Sequence, residues 1–149
     1  MKIFDYFKKG KTKTKTKPLL DEAKEINLFE NDINSDFFLQ KVAEIEDINK
    51  KYQKGLNLLH FACEYNNIQL AKELLQRNIN IEEKNIYGNT PLWTAVFNAK
   101  EKYEMVDLLL SYNTNPNSIN NADNTPLKFA ITIGDKVLIK KLTEKTTNH

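Results

Sequence analysis

The stretch Gly88-Asn89-Thr90-Pro91-Leu92-Trp93-Thr94-Ala95 decides how this chain folds, because it is written three times. Gly55-Leu56-Asn57-Leu58-Leu59-His60-Phe61-Ala62 lies 33 residues upstream, and Asp123-Asn124-Thr125-Pro126-Leu127-Lys128-Phe129-Ala130 lies 35 downstream. A second block follows each copy: Leu70–Leu75, Met105–Leu110 and Leu138–Leu142. A third block, Asn78-Ile79-Asn80-Ile81, is echoed by Asn113–Asn117. The two extra residues of the middle copy therefore fall between its first two blocks, around Ala99 to Lys102. A fixed period of about 20–50 residues is the mark of a repeat array.

Each copy spells a pair of helices. Thr90 is a cap residue, and Pro91 follows at the first helical position, where a missing N–H costs nothing. Leu92, Ala95 and Val96 give the first helix a packing face. Ala62, Ala95 and Ala130 keep one register small, so neighbouring first helices can approach closely. A turn follows at Asn66-Asn67 or Gly134-Asp135, and the second block then carries larger apolar side chains at spacings of three and four. Asn78 and Asn113 close the second helices, where a left-handed residue is wanted. A projecting turn such as Glu82 to Gly88 leads into the next copy.

Over roughly residues 35–142 the chain resembles the ankyrin-repeat family, on the strength of "TPLWTA", "TPLKFA", "LLHFACEYNN" and "ELLQRNINIEEKNIYGNTPL". The resemblance implies an all-α solenoid of helix-turn-helix units with projecting turns. It sets a degenerate capping repeat at 19–51 before full repeats at about 52–84, 85–119 and 120–149. In the cap, Ile48 aligns with Ile81 and Phe37 with Leu70; Leu28, Phe29, Phe38, Val42 and Ile45 add apolar surface, with Asn34 or Ser35 as a helix start. Lys136, Lys140, Lys141, Glu144 and Lys145 give the last helix the wet face that an end repeat needs. Asp123 stands where the family has glycine, which predicts a last turn of different shape. The middle insertion either extends a helix end or forms a bump of its own.

Charge is split along the chain. Residues 1–17 hold seven Lys and one Asp; the remainder holds 15 basic and 19 acidic residues. Lys11–Lys17 is low-complexity and Pro18 closes it, so residues 1–18 read as a disordered basic tail. Ile3, Phe4 and Phe7 among lysines give this tail a weak claim as a membrane or partner anchor. The acidic remainder argues against nucleic acid as its partner and suits a basic one. Apolar runs fall short of the roughly 20 residues that span a bilayer, and the N-terminus lacks the apolar stretch of a secretory signal. A single cysteine, Cys63, excludes an intrachain disulfide and a cysteine-based zinc site. Together these point to the cytoplasm. The abundance of Lys, Asn and Ile points to an AT-rich, bacterial genome.

No residue set suggests catalysis, a metal or a cofactor. His60 takes the histidine position of the repeat motif, where Trp93 and Lys128 stand in the other copies. Cys63 reads as a small core residue. The four glycines are scattered and form no phosphate loop. Binding is the expected function. The resemblance places partner contacts beside the turn and after the paired small residues of the first helix. These are Lys54, Leu56, Ile86, Tyr87, Asn89, Asn121 and Asn124, then Glu64, Tyr65, Phe97 and Asn98, with Trp93 adjoining. Their aromatic content suits interface hot spots. The expectation is a non-enzymatic protein-binding module, with two readings of its partner. One is an immunity protein holding a toxin one-to-one; the other is a scaffold or effector binding host proteins.

Overall fold

The computed structural model describes residues 36–146. The basic tail, most of the expected capping repeat and its helix start at Asn34 or Ser35 lie outside these residues. The described elements are α1 (Asp36–Ala43), a short 3-10 turn (Gln53–Gly55), α2 (Leu58–Glu64), α3 (Ile68–Gln76), α4 (Pro91–Phe97), α5 (Glu104–Ser111), α6 (Pro126–Ile133) and α7 (Lys136–Thr146). No strand occurs among them. The all-α solenoid is thus the observed architecture.

The first helices of the copies, α2, α4 and α6, pack side by side in one row, and α3, α5 and α7 form a second row behind. The caps expected from sequence are made. Thr90 Oγ1 accepts from Trp93 N at 3.3 Å, and Thr125 Oγ1 from Lys128 N at 3.0 Å. Asn57, Asn67 and Asp135 cap α2, α3 and α7 in the same way. Ala62, Ala95 and Ala130 are buried, as are Leu70, Leu74, Val106, Leu109, Leu138 and Leu142 of the second row. Each buried leucine contributes about 1.5–3 kcal/mol, and a single helix pair has no second surface against which to realise it. In α7 burial reaches only Leu138 and Leu142 at one spacing of four, with Ile139 partly covered. This is the wet end helix anticipated above.

Left-handed residues set the chain reversals. Asn66 and Gly134 end α2 and α6, and Asn78 and Asn113 follow α3 and α5, all at positive φ. The expectation of a differently shaped last turn is corrected: Asp123 has φ +52°, in the same region as Gly55 and Gly88. An aspartate tolerates this conformation. The turn is also held from within, since Asn120 Oδ1 accepts Ala122 N and Asn124 N just as Asn85 Oδ1 accepts Tyr87 N and Asn89 N. The middle insertion does not lengthen a helix. α4 stops at Phe97, in register with Glu64 of α2, and Lys100 and Glu101 form a tight reversal at positive φ.

α1 stands at the register of α3 shifted back by 33, as the outer helix of a worn copy should. Its Val42 is buried. The chain's single arginine, Arg77, fastens it by donating to the carbonyls of Val42 and Ile45. Asn49 Oδ1 accepts from Asn80 N at 2.7 Å, and Lys51 pairs with Glu83. Arg77→Ala is expected to cost about 2 kcal/mol, since charged hydrogen bonds to buried carbonyls are lost. Hydrogen exchange should speed up in α1 while α4 and α5 keep their protection. Arg77→Lys should restore little, because an ammonium cannot fork to both carbonyls.

Candidate functional site

Successive turns are stitched edge to edge. Ile86 N–H donates to the Lys54 carbonyl at 2.9 Å, and one copy later Asn121 N–H donates to the Tyr87 carbonyl at 3.0 Å. The side chains repeat the pattern: Asn121 Nδ2 donates to the Ile86 carbonyl and Asn120 Nδ2 to Asn89 Oδ1. Asn89 and Asn121 therefore hold turns together rather than standing free, and half-buried Asn124 sits against the α6 cap. With its backbone used in this way, a turn presents only side chains to solvent. Tyr87 and Ile86 are the largest of these, 52% and 57% exposed.

Between the first two stitched turns and the helices α2 and α4 lies an open groove of about 340 Å³. Lys54, Leu56, Glu64, Tyr87, Asn89, Trp93, Phe97 and Asn98 all line it, joined by His60, Asn85 and Thr94. Most of the expected contact residues thus converge on one cavity. Ile86, Tyr65, Asn121 and Asn124 lie outside it. Leu56 belongs to its floor: at 6% exposure it is a core residue with one edge in the groove.

The helix row adds a residue that the sequence reading passed over. Phe129 of α6 lies 5.3 Å from the Trp93 ring and 5.5 Å from the Phe97 ring. The three rings form a tilted aromatic cluster along α4 and α6, with Phe97 still 58% exposed. Phe129 shares its register with Phe61, which is fully buried, whereas Phe129 itself is only partly covered. The sign that could have found it is its place on the first helix of its copy, in the row that also carries Trp93 and Phe97.

The groove's chemistry is set by burial. His60 is fully buried beneath it. Asn57 N–H donates to His60 Nδ1 at 3.2 Å, so Nε2 carries the hydrogen and donates to the Asn89 carbonyl at 3.0 Å. Burial pushes its pKa down from 6.5 to about 4, so the ring is neutral at neutral pH. Both ring nitrogens are occupied, which leaves no lone pair for a proton-transfer role. Burial pushes the Cys63 thiol up, which makes it inert as a nucleophile. Burial also raises Glu64, the groove's one carboxylate.

Residues 36–146 carry fourteen basic and fourteen acidic side chains. The acidic excess read from the sequence therefore falls on residues 18–35, outside the described residues. No helix among the described residues is long and apolar enough to cross a membrane.

A family model described as ankyrin repeats (3 copies) matches residues 30–120. The chain is 40% identical over 76 residues to a Dictyostelium discoideum protein named as a serine/threonine-protein kinase; the match covers 50% of this chain and 9% of that one. It is 29% identical over 85 residues to an ankyrin repeat protein of vaccinia virus, covering 57% of each. A fowlpox virus sequence named as an ankyrin repeat protein is 32% identical over 97 residues, 64% of this chain and 22% of its own. The chain thus spans between about a tenth and somewhat over half of these relatives. None of the three is bacterial, so the origin expected from composition finds no support in them.

Proposed function

The chain belongs to the ankyrin-repeat family, whose repeats are protein-interaction modules, and on that premise we propose that it binds one protein partner through the groove and the aromatic cluster beside it. The supporting observation is the convergence of Tyr87, Trp93 and Phe97 on one open cavity. Aromatic rings that remain exposed beside a rigid, stitched backbone are pre-organised anchors, so little ordering entropy is lost on binding. Phe129 packs against Phe97 at 5.5 Å and extends the cluster onto α6.

This reading favours a partner that presents an apolar epitope. Of the two partner classes, a toxin held one-to-one draws no electrostatic support from residues 36–146, which carry equal numbers of basic and acidic side chains. The scaffold or effector reading, a module binding proteins of a host cell, agrees better with the poxvirus relatives. Capture from source cells with wild type and the Tyr87→Ala/Phe97→Ala double variant tests the surface. Recovery of the dominant partner should fall about tenfold or more, as for removal of paired hot spots. Unchanged recovery would move the partner to the opposite face and sink the groove reading.

A further inference from the structure

We propose that the groove is also a cation-accepting site, and that its occupant is the chain's own lysine-rich segment, residues 2–17. The proposal deepens the reading above, since it supplies a regulator of the same surface. Glu64 is the starting point. It is the last residue of α2, where the helix's own carbonyl groups disfavour an anion. It is half-buried, and none of the ion pairs among the described residues includes it. A fold that sets a carboxylate in such a place gains when a cation arrives.

The walls suit the same visitor. Phe97 holds the register of Glu64 one copy later, so the two line the groove from neighbouring helix ends. Tyr87 and Trp93 complete an aromatic wall, and ring faces attract ammonium groups. His60 beneath is neutral, so it does not repel one. Lys54 is the one basic side chain in the lining, and it approaches from the turn, whereas Glu64 stands on the helix row.

The occupant follows from charge and reach. Residues 2–17 hold seven Lys against one Asp, with Phe4 and Phe7 for the rings. Eighteen residues separate Lys17 from Asp36, the first described residue. They can span about 60 Å when extended. The groove lies between the first two full repeats. Tethering gives an effective concentration of roughly millimolar, enough to populate a contact too weak to matter between separate molecules. A bound partner would then have to displace the tail.

Trp93 is the chain's single tryptophan and lines the groove, so its fluorescence reports occupancy directly. Acrylamide quenching would be measured on the full chain and on a full-length variant with the seven tail lysines changed to Gln. In about 0.05 M salt the wild type should be quenched roughly twofold less than the variant, as half-occupancy by a tethered ligand predicts. In about 1 M salt, where the Debye length is about 3 Å, the two should coincide. Glu64→Gln should lose the protection, and a peptide of residues 1–17 added to the lysine-free variant should restore it. Equal quenching of wild type and variant at low salt would overturn the proposal. So would full protection in Glu64→Gln, which would seat the tail on the acidic residues 21–32 instead. The readout needs no partner, so a failed capture experiment leaves it intact.

Discussion

Gly88→Ala is expected to destabilise the chain by about 3 kcal/mol, while Gly134→Ala costs about 1 kcal/mol. Both glycines lie at φ above +70°, so the backbone preference is the same. The difference is space. A Cβ on Gly88 would stand 2.6 Å from Asn121 Oδ1 and 2.8 Å from Asn121 N, whereas a Cβ on Gly134 meets nothing within 4 Å. Asn121 cannot step aside, because its backbone N–H and its side chain are both bonded to the preceding turn. Alanine therefore wedges apart the second and third turns, and the second turn is one side of the groove's rim. Asp123 shows that a non-glycine residue is accepted in this register where no later turn among the described residues presses on it. In thermal melts Gly88→Ala should lower the midpoint by about 10–20 °C and Gly134→Ala by about 5 °C. Equal shifts would mean that adjacent turns do not press on one another.

Acid should weaken the fold well before general carboxylate titration. Burial lowers the His60 pKa from 6.5 to about 4, so between those values the unfolded chain binds a proton that the folded chain refuses. Stability is full above about pH 6.5 and is lost as the pH falls toward 4, by about 3 kcal/mol in all. Structurally, a proton on Nδ1 would oppose the Asn57 N–H that donates there and turn that nitrogen into a donor to Asn57 Oδ1, 2.8 Å away, so the capping box would lose one of its two bonds. Glu64 and Glu82 act in the opposite sense, since burial raises both and their protonation favours the folded state. The comparison that isolates the imidazole is His60→Gln. Glutamine at that position can still reach back to the Asn57 N–H, as in a capping box, but does not titrate there. Urea unfolding at neutral pH and near pH 4.5 should show the wild type losing markedly more stability than the variant. Parallel losses would remove His60 as the cause.

Much of this was legible in advance. Thr90, Thr125 and Asn57 act within a few residues of where they are read, so the caps and starts of α2, α4 and α6 followed from local chemistry. The reversals at Asn78 and Asn113 did too. Asp123 did not: whether a turn keeps its shape depends on the bonds around it, and Asn120 supplies them. Phe129 was passed over for a related reason. Its place in the cluster depends on how α6 packs beside α4, which repetition alone does not give.

The sequence by itself determined the repeat, its register, the helix pairs and the row of side chains that face outward, because period, caps and small residues are short-range properties. Only the tertiary structure decided which of those side chains converge, that Leu56 belongs to the floor and Phe129 to the cluster, and that Arg77 fastens α1. Contacts between copies join residues about 33 apart. Which side chains are covered there depends on how closely the turns and helices stack, and that spacing is set by all the copies together.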